Sequence, residues 1–381
     1  PKPITGSFSP ADKVYDGTVA ASITHSSLGS GVVEGDVVTL DATSAAATFA
    51  TKTVGAGKTV TGTGFSLAGA DEANYTLTMN TASADITPKT VTGSFTAANK
   101  VYDGTVAASI TDRSVAGKVS DDDIDLAGGT ATFATKTAGT DKTVTGTGFS
   151  LTGTAKANYT LASSTLTTKA DITPKTITGS FTAANKTYDG TVAATILTRS
   201  VAGDVSGDDV TLSGGTATFA NPNVGQDKTV TGTGFSLTGA DKANYTLAAS
   251  TLTTTASISY RWDGFLQPIN DTAHQTGVAE SKFKLGQTIP AKFVIKNALG
   301  TVLQQSTNPS FTKSGNLGSC DATAAPDMVE VVAADTGATY SWDGSQYHYN
   351  WSTKGLTSGE YRIYANLADG TKRYVDICLT K

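Results

Sequence analysis

Charge is scarce in this sequence: 16% of the residues are Asp, Glu, Lys or Arg, and they balance to −5. Nucleic acid and anionic membrane surfaces both select a concentrated positive field, so neither is an expected partner. Methionine occurs twice, and histidine only as His25, His274 and His348. No CxxC or HExxH spacing occurs, which removes the common zinc sites. GxSxG and the phosphate-cradling glycine loops are missing too, so no motif nominates a catalytic centre and no enzyme is expected. No apolar run nears the ~20 residues of a membrane-spanning helix. An initiator Met and a signal peptide are also lacking. The opening Pro1-Lys2-Pro3-Ile4-Thr5 reads as a worn copy of two internal joints, at 86–90 and 172–178. That reading makes the chain a mature or excised piece cut at a joint, and it allows further repeats upstream.

What the chain has is repetition. KVYDGTVAASI starts at Lys13 and again at Lys100, and KTYDGTVAATI starts at Lys186. KTVTGTGFSL opens at Lys58, Lys142 and Lys228, and ANYTL carries Asn74, Asn158 and Asn244. The period is about 86 residues, long enough for a small domain with its own core. Catalysis needs one constellation of scattered groups, whereas a module copied three times supplies length, valency or stiffness. Thr, Ala and Ser dominate and 40 glycines punctuate them, a composition that favours short strands and turns.

In the second copy, apolar positions alternate in short runs. These are Val91, Gly93 and Phe95; Val106, Ala108 and Ile110; Ile124 and Leu126; Ala131 and Phe133; Tyr159 and Leu161; and Ala170 with Ile172. Period-2 alternation predicts half-buried strands, and six or seven of them fit an Ig-like sandwich of two antiparallel sheets. In KTVTGTGFSL the inward set moves from Val144 and Gly146 to Phe149 and Leu151, which predicts a β-bulge at Gly146–Gly148. The joints ADITPKTVTGSF and ADITPKTITGSF contain no flexible linker, and proline biases its neighbours toward extended geometry. Three sandwiches of about 35–45 Å each would then form a rod.

The KxYDGT phrase, the loop Gly207–Leu212 (GDDVTL; GDVVTL from Gly35), TVTGTGFSL and ANYTL together resemble the YDG-type repeat. That repeat belongs to the mostly-bacterial Ig-like modules of surface proteins and adhesins. The resemblance covers about residues 3–258 and implies an extracellular bacterial protein without catalytic residues. From about Ser259, GQTIPAKF (Gly286–Phe293) and the stretch Tyr349–Thr371 resemble the PxKF-type module of secreted multidomain proteins. The domains expected are therefore 1–88, 89–174 and 175–258, each Ig-like, and 259–381, a distinct β-rich module.

Several residues invite a functional reading, each beside a plainer one. Cys320 and Cys378 are expected to form a disulfide on compartment logic, the alternative being two buried thiols. The Tyr-Asp-Gly turn reads as a tight turn with its tyrosine at a sandwich edge. Asp121, Asp122, Asp123, Asp208 and Asp209 are candidate Ca²⁺ ligands, weighed against solvated loops because Ca²⁺ takes six or more oxygens. Lys100, Asp103 and Asn158 supply the types for an intramolecular Lys–Asn isopeptide bond, which requires burial. Trp342, Tyr347 and Trp351 are the residues that would stack on a glycan, although such an alternating row is more often core.

The fold class expected is all-β: tandem Ig-like sandwiches plus a β-rich C-terminal domain. The function expected is a structural one, a stalk or adhesin segment of a bacterial surface. The alternatives are a self-assembling subunit of a surface layer or filament with head-to-tail contacts, and a glycan-binding module. Partners would be other copies of the chain, neighbouring surface proteins or a glycan.

Overall fold

Residues 1–320 and 325–381 are described by a computed structural model, and they divide into two units, 1–175 and 176–381. The first unit holds two of the repeats. In the second repeat, Lys89–Ala97 is the central strand of a three-stranded sheet. It lies antiparallel to Ile110–Ala116 and parallel to Tyr159–Leu161. The facing sheet runs in the order Lys100–Val101, Thr165–Thr173, Gly139–Thr152, Asp125–Phe133, Ala107–Ala108. Its pairs are antiparallel except the first, Lys100↔Ile172.

Each sheet thus contains one parallel pair where purely antiparallel sheets were expected. Each parallel pair joins an opening strand of the repeat to a closing one, Lys89–Ala97 to Tyr159–Leu161 and Lys100–Val101 to Thr165–Thr173, partners far apart in the chain that no tight hairpin connects.

Alternation places the core as the sequence pattern requires. Val91, Phe95, Ile124, Leu126, Ala131, Phe133, Val144, Phe149, Ala170 and Ile172 are all buried. Each large apolar side chain taken from water contributes about 1.5–3 kcal/mol, so a repeat this size depends on a few of them. Val106 departs from the pattern and is exposed, because the strand begins only at Ala107.

The bulge expected at Gly146–Gly148 is not one. Register between Asp125–Phe133 and Gly139–Thr152 is unbroken, with Gly128↔Phe149 and Thr130↔Thr147 on either side. Instead both strands change face at the same level. Leu126 and Ala131 are inward on one strand, and Val144 and Phe149 on the other. Gly128, Gly129 and Gly148 carry the switch at φ of 71°, 83° and 79°, a region that penalises a Cβ. The first repeat has no such glycines beside Gly64. There Thr39–Asp41 and Ser66–Ala68 form a separate two-stranded ladder, and the chain leaves Asp41 through a turn in which Thr43 donates its N–H to Asp41 Oδ1.

The second unit holds the third repeat, with the same pair of sheets, and the C-terminal domain. In that domain Arg261–Leu266, Thr288–Lys296, Tyr347–Ser352 and Ser341–Trp342 form one sheet, with Val302–Leu303 added to Thr288–Lys296. The facing sheet orders Ser281–Lys284, Lys372–Thr380, Gly359–Asn366 and Ser310–Lys313. Between them lies an aromatic core that includes Trp262, Phe265, Phe293, Tyr340, Tyr347, Tyr349 and Trp351. The Cys320–Cys378 disulfide ties the chain beyond Ser310–Lys313 to the last strand.

Candidate functional site

The repeated KxYDGT phrase builds a small clasp. Lys100 Nζ donates to Asp103 Oδ1 at 2.8 Å and to the carbonyl of Thr105 at 2.8 Å. The same Asp103 oxygen accepts the Thr105 amide at 2.8 Å and its hydroxyl at 2.9 Å. Lys100 Nζ also lies 5.6 Å from the Phe133 ring centre, a cation–π distance. Lys13 with Asp16 and Thr18, and Lys186 with Asp189 and Thr191, repeat the arrangement. Burial alone would raise Asp103, but the Lys100 ammonium and the two Thr105 donors outweigh it and hold the carboxyl at about 2. The spacing has a physical cause: Asp folds back on the amide two residues ahead, and lysine locks it from behind.

This clasp aims the intervening tyrosine out of its own repeat. Tyr15 is 2% exposed, and its hydroxyl donates to Asp122 Oδ2 of the second repeat at 2.8 Å. Tyr159 donates to that same oxygen at 2.5 Å, while its hydroxyl accepts the Val119 amide at 2.9 Å. The Tyr15 and Tyr159 rings meet edge to face at 5.4 Å. Burial first, then the hydrogen bond to Asp122, pushes the Tyr15 phenol up to about 12.

Around this centre the contact is close. A Cβ on Gly17, at φ 78°, would sit 2.8 Å from Val119, and the Val54 amide donates to Asn158 Oδ1 at 3.0 Å. One hydrophobic cluster joins Phe8, Tyr15 and Ile86 of the first repeat to Val91, Ile124 and Tyr159 of the second. The two repeats therefore share a core at their joint.

In the second unit the third repeat meets the C-terminal domain through different residues at the same turn. The Tyr188 carbonyl accepts the Ala298 amide at 2.9 Å, and its ring lies 6.1 Å from Tyr260. Gln226 Nε2 donates to the Asp369 carbonyl at 3.0 Å, and the Tyr260 amide to Asp369 Oδ2 at 2.9 Å. Asp369 is fully buried, its other oxygen held by Thr371.

The remaining sequence candidates are placed as follows. The acids proposed for Ca²⁺ do not converge: no group of three or more His, Cys, Asp or Glu side chains forms a metal-holding cluster among the described residues. Asp122 and Asp208 accept tyrosine hydroxyls, Asp123 accepts the Thr154 amide and hydroxyl, Asp209 accepts the Ala240 amide, and Asp121 faces Ser120. These carboxylates each face a donor of the protein and are not gathered around a common point.

The isopeptide candidates are not gathered either. Lys100 and Asp103 meet in the clasp, but Asn158 stands at the joint with Val54 as its partner. The glycan row is core: Tyr347 and Trp351 are buried, Tyr347 stacks on Phe293 at 5.2 Å, and Trp342 packs against Tyr347 at 4.9 Å. Trp342 is half-buried at the margin of that core. The disulfide Cys320–Cys378 is present.

The sequence reading missed two features. Asp369 was overlooked, although its Asp-Gly-Thr setting repeats the clasp's own signature. Tyr364 and Tyr374 form a surface ladder in which Lys372 Nζ lies 3.8 Å over Tyr364 and Arg362 lies 4.1 Å over Tyr374. Only the cross-strand register brings those cations over those rings.

All-β, tandem Ig-like sandwiches joined through a shared motif define the class. Within it, the YDG domain family matches residues 1–84, 87–167 and 173–255, and the chain belongs to that family. No curated protein matches the chain. Among solved structures, the Escherichia coli adhesin FdeC is similar at 13% identity, over 77% of this chain and 96% of that one, with a TM-score of 0.22. Domains 4 and 5 of the S-layer protein SbsC align at 14% identity over 50% of this chain and 90% of theirs, at 0.16. Three N-terminal domains of the bacteriophage RB49 outer capsid protein Hoc align at 12% over 76% and 98%, at 0.22. At these scores the likenesses carry no argument about function.

Proposed function

We propose that this chain is a non-enzymatic, extracellular structural protein of a bacterial surface, a stalk or adhesin segment whose YDG domains hold their neighbours at fixed distance. One observation carries the reading: the most repeated phrase in the sequence spends its tyrosine on the next domain, where the buried Tyr15 and Tyr159 share the half-buried Asp122 carboxylate as acceptor. A linker that merely connects domains needs no such investment, and Gly/Ser composition would serve it. A disulfide in the C-terminal domain suits an oxidising compartment.

Stiffness is the property to measure. Backbone ¹⁵N relaxation on the full chain should give the first and second repeats one common rotational correlation time. Tyr15→Ala should separate them while leaving each repeat folded. Independent tumbling of the two repeats in the unaltered protein would overturn the reading. Electron microscopy at several concentrations tests the competing role, since ordered filaments or sheets would make self-assembly the function.

A further inference from the structure

The first repeat carries a face equivalent to the one that the second repeat devotes to Tyr15. Its parts are assembled in the same way: Tyr75 donates to Asp36 Oδ2 at 2.6 Å, and the Val33 amide donates to the Tyr75 hydroxyl at 2.8 Å. In the second repeat Tyr159, Asp122 and Val119 make that same set, and there the carboxylate oxygen accepts a second tyrosine from outside.

What differs is cover. Asn158 is 8% exposed and occupied by the Val54 amide, whereas Asn74 is exposed. Val119 is half-buried against Gly17, whereas Val33 is 48% exposed and Val37 beside it 58%. Val33 and Asn74 are thus the uncovered counterparts of Val119 and Asn158, on either side of the same carboxylate acceptor geometry.

We infer that this face, Val33, Asp36, Asn74 and Tyr75, is the receiving half of a joint, and that its occupant is the Tyr-Asp-Gly turn of a further YDG domain. Occupancy of the matching face by that very turn, within the same unit, selects the partner. A second copy of this chain is a poor donor. Tyr15 and Tyr102 are already buried, and Tyr188 is engaged by Ala298 and Tyr260. The occupant is therefore a YDG domain whose turn is still uncovered. The inference rests on the joint chemistry behind the proposed function and extends it to a surface the joint does not use.

The probe is the full chain with an additional copy of residues 1–87 fused ahead of Pro1, so that the joint Ile-Thr-Pro-Lys is rebuilt in register. Hydrogen exchange is followed at the Val33 amide and at the Val54 amide of the added copy. Val33 should exchange at least about tenfold more slowly than in the unextended chain, and Asp36→Asn with Asn74→Ala should abolish the gain.

Asp122→Asn in the unextended chain is the control. If protection of its Val54 amide does not fall, the joint chemistry itself fails, and the proposed function with it. If it falls while Val33 of the extended chain stays unprotected, this inference alone is overturned, whether the added copy unfolds or moves independently. Protection of Val33 that grows with the concentration of the unextended chain would assign the face to a second copy and would also overturn it.

Discussion

Tyr15 donates from a buried ring to the half-buried Asp122 carboxylate, and hydrogen bonds to charged groups contribute about 1.5–3 kcal/mol. Tyr15→Phe keeps the ring against Tyr159 and removes only the hydroxyl, so a loss of that order is expected in the unfolding free energy of residues 1–175. An effect below a few tenths of a kcal/mol would show that the bond is solvated. The phenol, raised to about 12, also sets a pH window. Its contribution is complete below the ordinary tyrosine value of 10.0 and is lost as pH rises through about 12. Tyr245 and Tyr260 are also raised to about 12, so a tyrosinate absorbance titration should show a late-ionising group of phenols whose amplitude falls by one tyrosine in Tyr15→Phe. The clasp carboxylates work in the opposite direction. Asp103 and Asp189, held at about 2, contribute fully above the ordinary 3.8 and lose that contribution as pH falls through about 2. Lys100→Met should move the Asp103 carboxyl back up toward 3.8, read by carbon NMR, and start acid loosening at a higher pH.

Glycine decides what the longest strands can do. A Cβ on Gly146 would lie 2.6 Å from the Phe149 ring and 3.0 Å from Phe95, whose rings meet across it at 5.2 Å. Gly146→Ala should cost about 1–3 kcal/mol by overpacking, seen as a shifted denaturant midpoint with an unchanged slope. Gly148→Ala should destabilise for a different reason, a left-handed backbone at φ 79° with open space around it. The change of face between Val144 and Phe149 was legible as an alternation that slips. Its mechanism was not, since a bulge and a paired glycine switch leave the same trace in one strand. Telling them apart needs Gly128 and Gly129 of the neighbouring strand, and pairing is not written in either segment. The joint was hidden for a similar reason. The repetition of Tyr15, Asp122 and Asn158 was plain, but each looked like an ordinary turn, loop or strand residue until the register of two repeats brought them together.

Stability in the whole molecule is divided among parts that fold on different terms. The repeats rest on a few aliphatic and phenyl side chains each, while the C-terminal domain has a large aromatic core and a disulfide across 58 residues. Closing a loop of that length restricts the unfolded chain by about 4 kcal/mol. Reduction should therefore lower the melting temperature of the C-terminal domain alone, leaving the calorimetric transition of residues 1–175 in place. A uniform shift of all transitions would contradict this separation. The buried Asp369 carboxylate holds the Tyr260 amide and the Thr371 amide and hydroxyl, so Asp369→Ala leaves those donors unpaired and is expected to lower the C-terminal transition further.

The Tyr15–Asp122 contact also bears on how genes of this kind change length. A repeat brings the donor tyrosine at one end and the accepting carboxylate at the other. Loss or duplication of whole repeats by recombination between their near-identical coding segments therefore regenerates a complete junction each time. A crossover out of phase would delete or duplicate part of a repeat and leave a junction without its tyrosine or its carboxylate. Selection on the junction thus preserves the reading of whole units, and lets lineages vary the number of repeats without inventing a new contact.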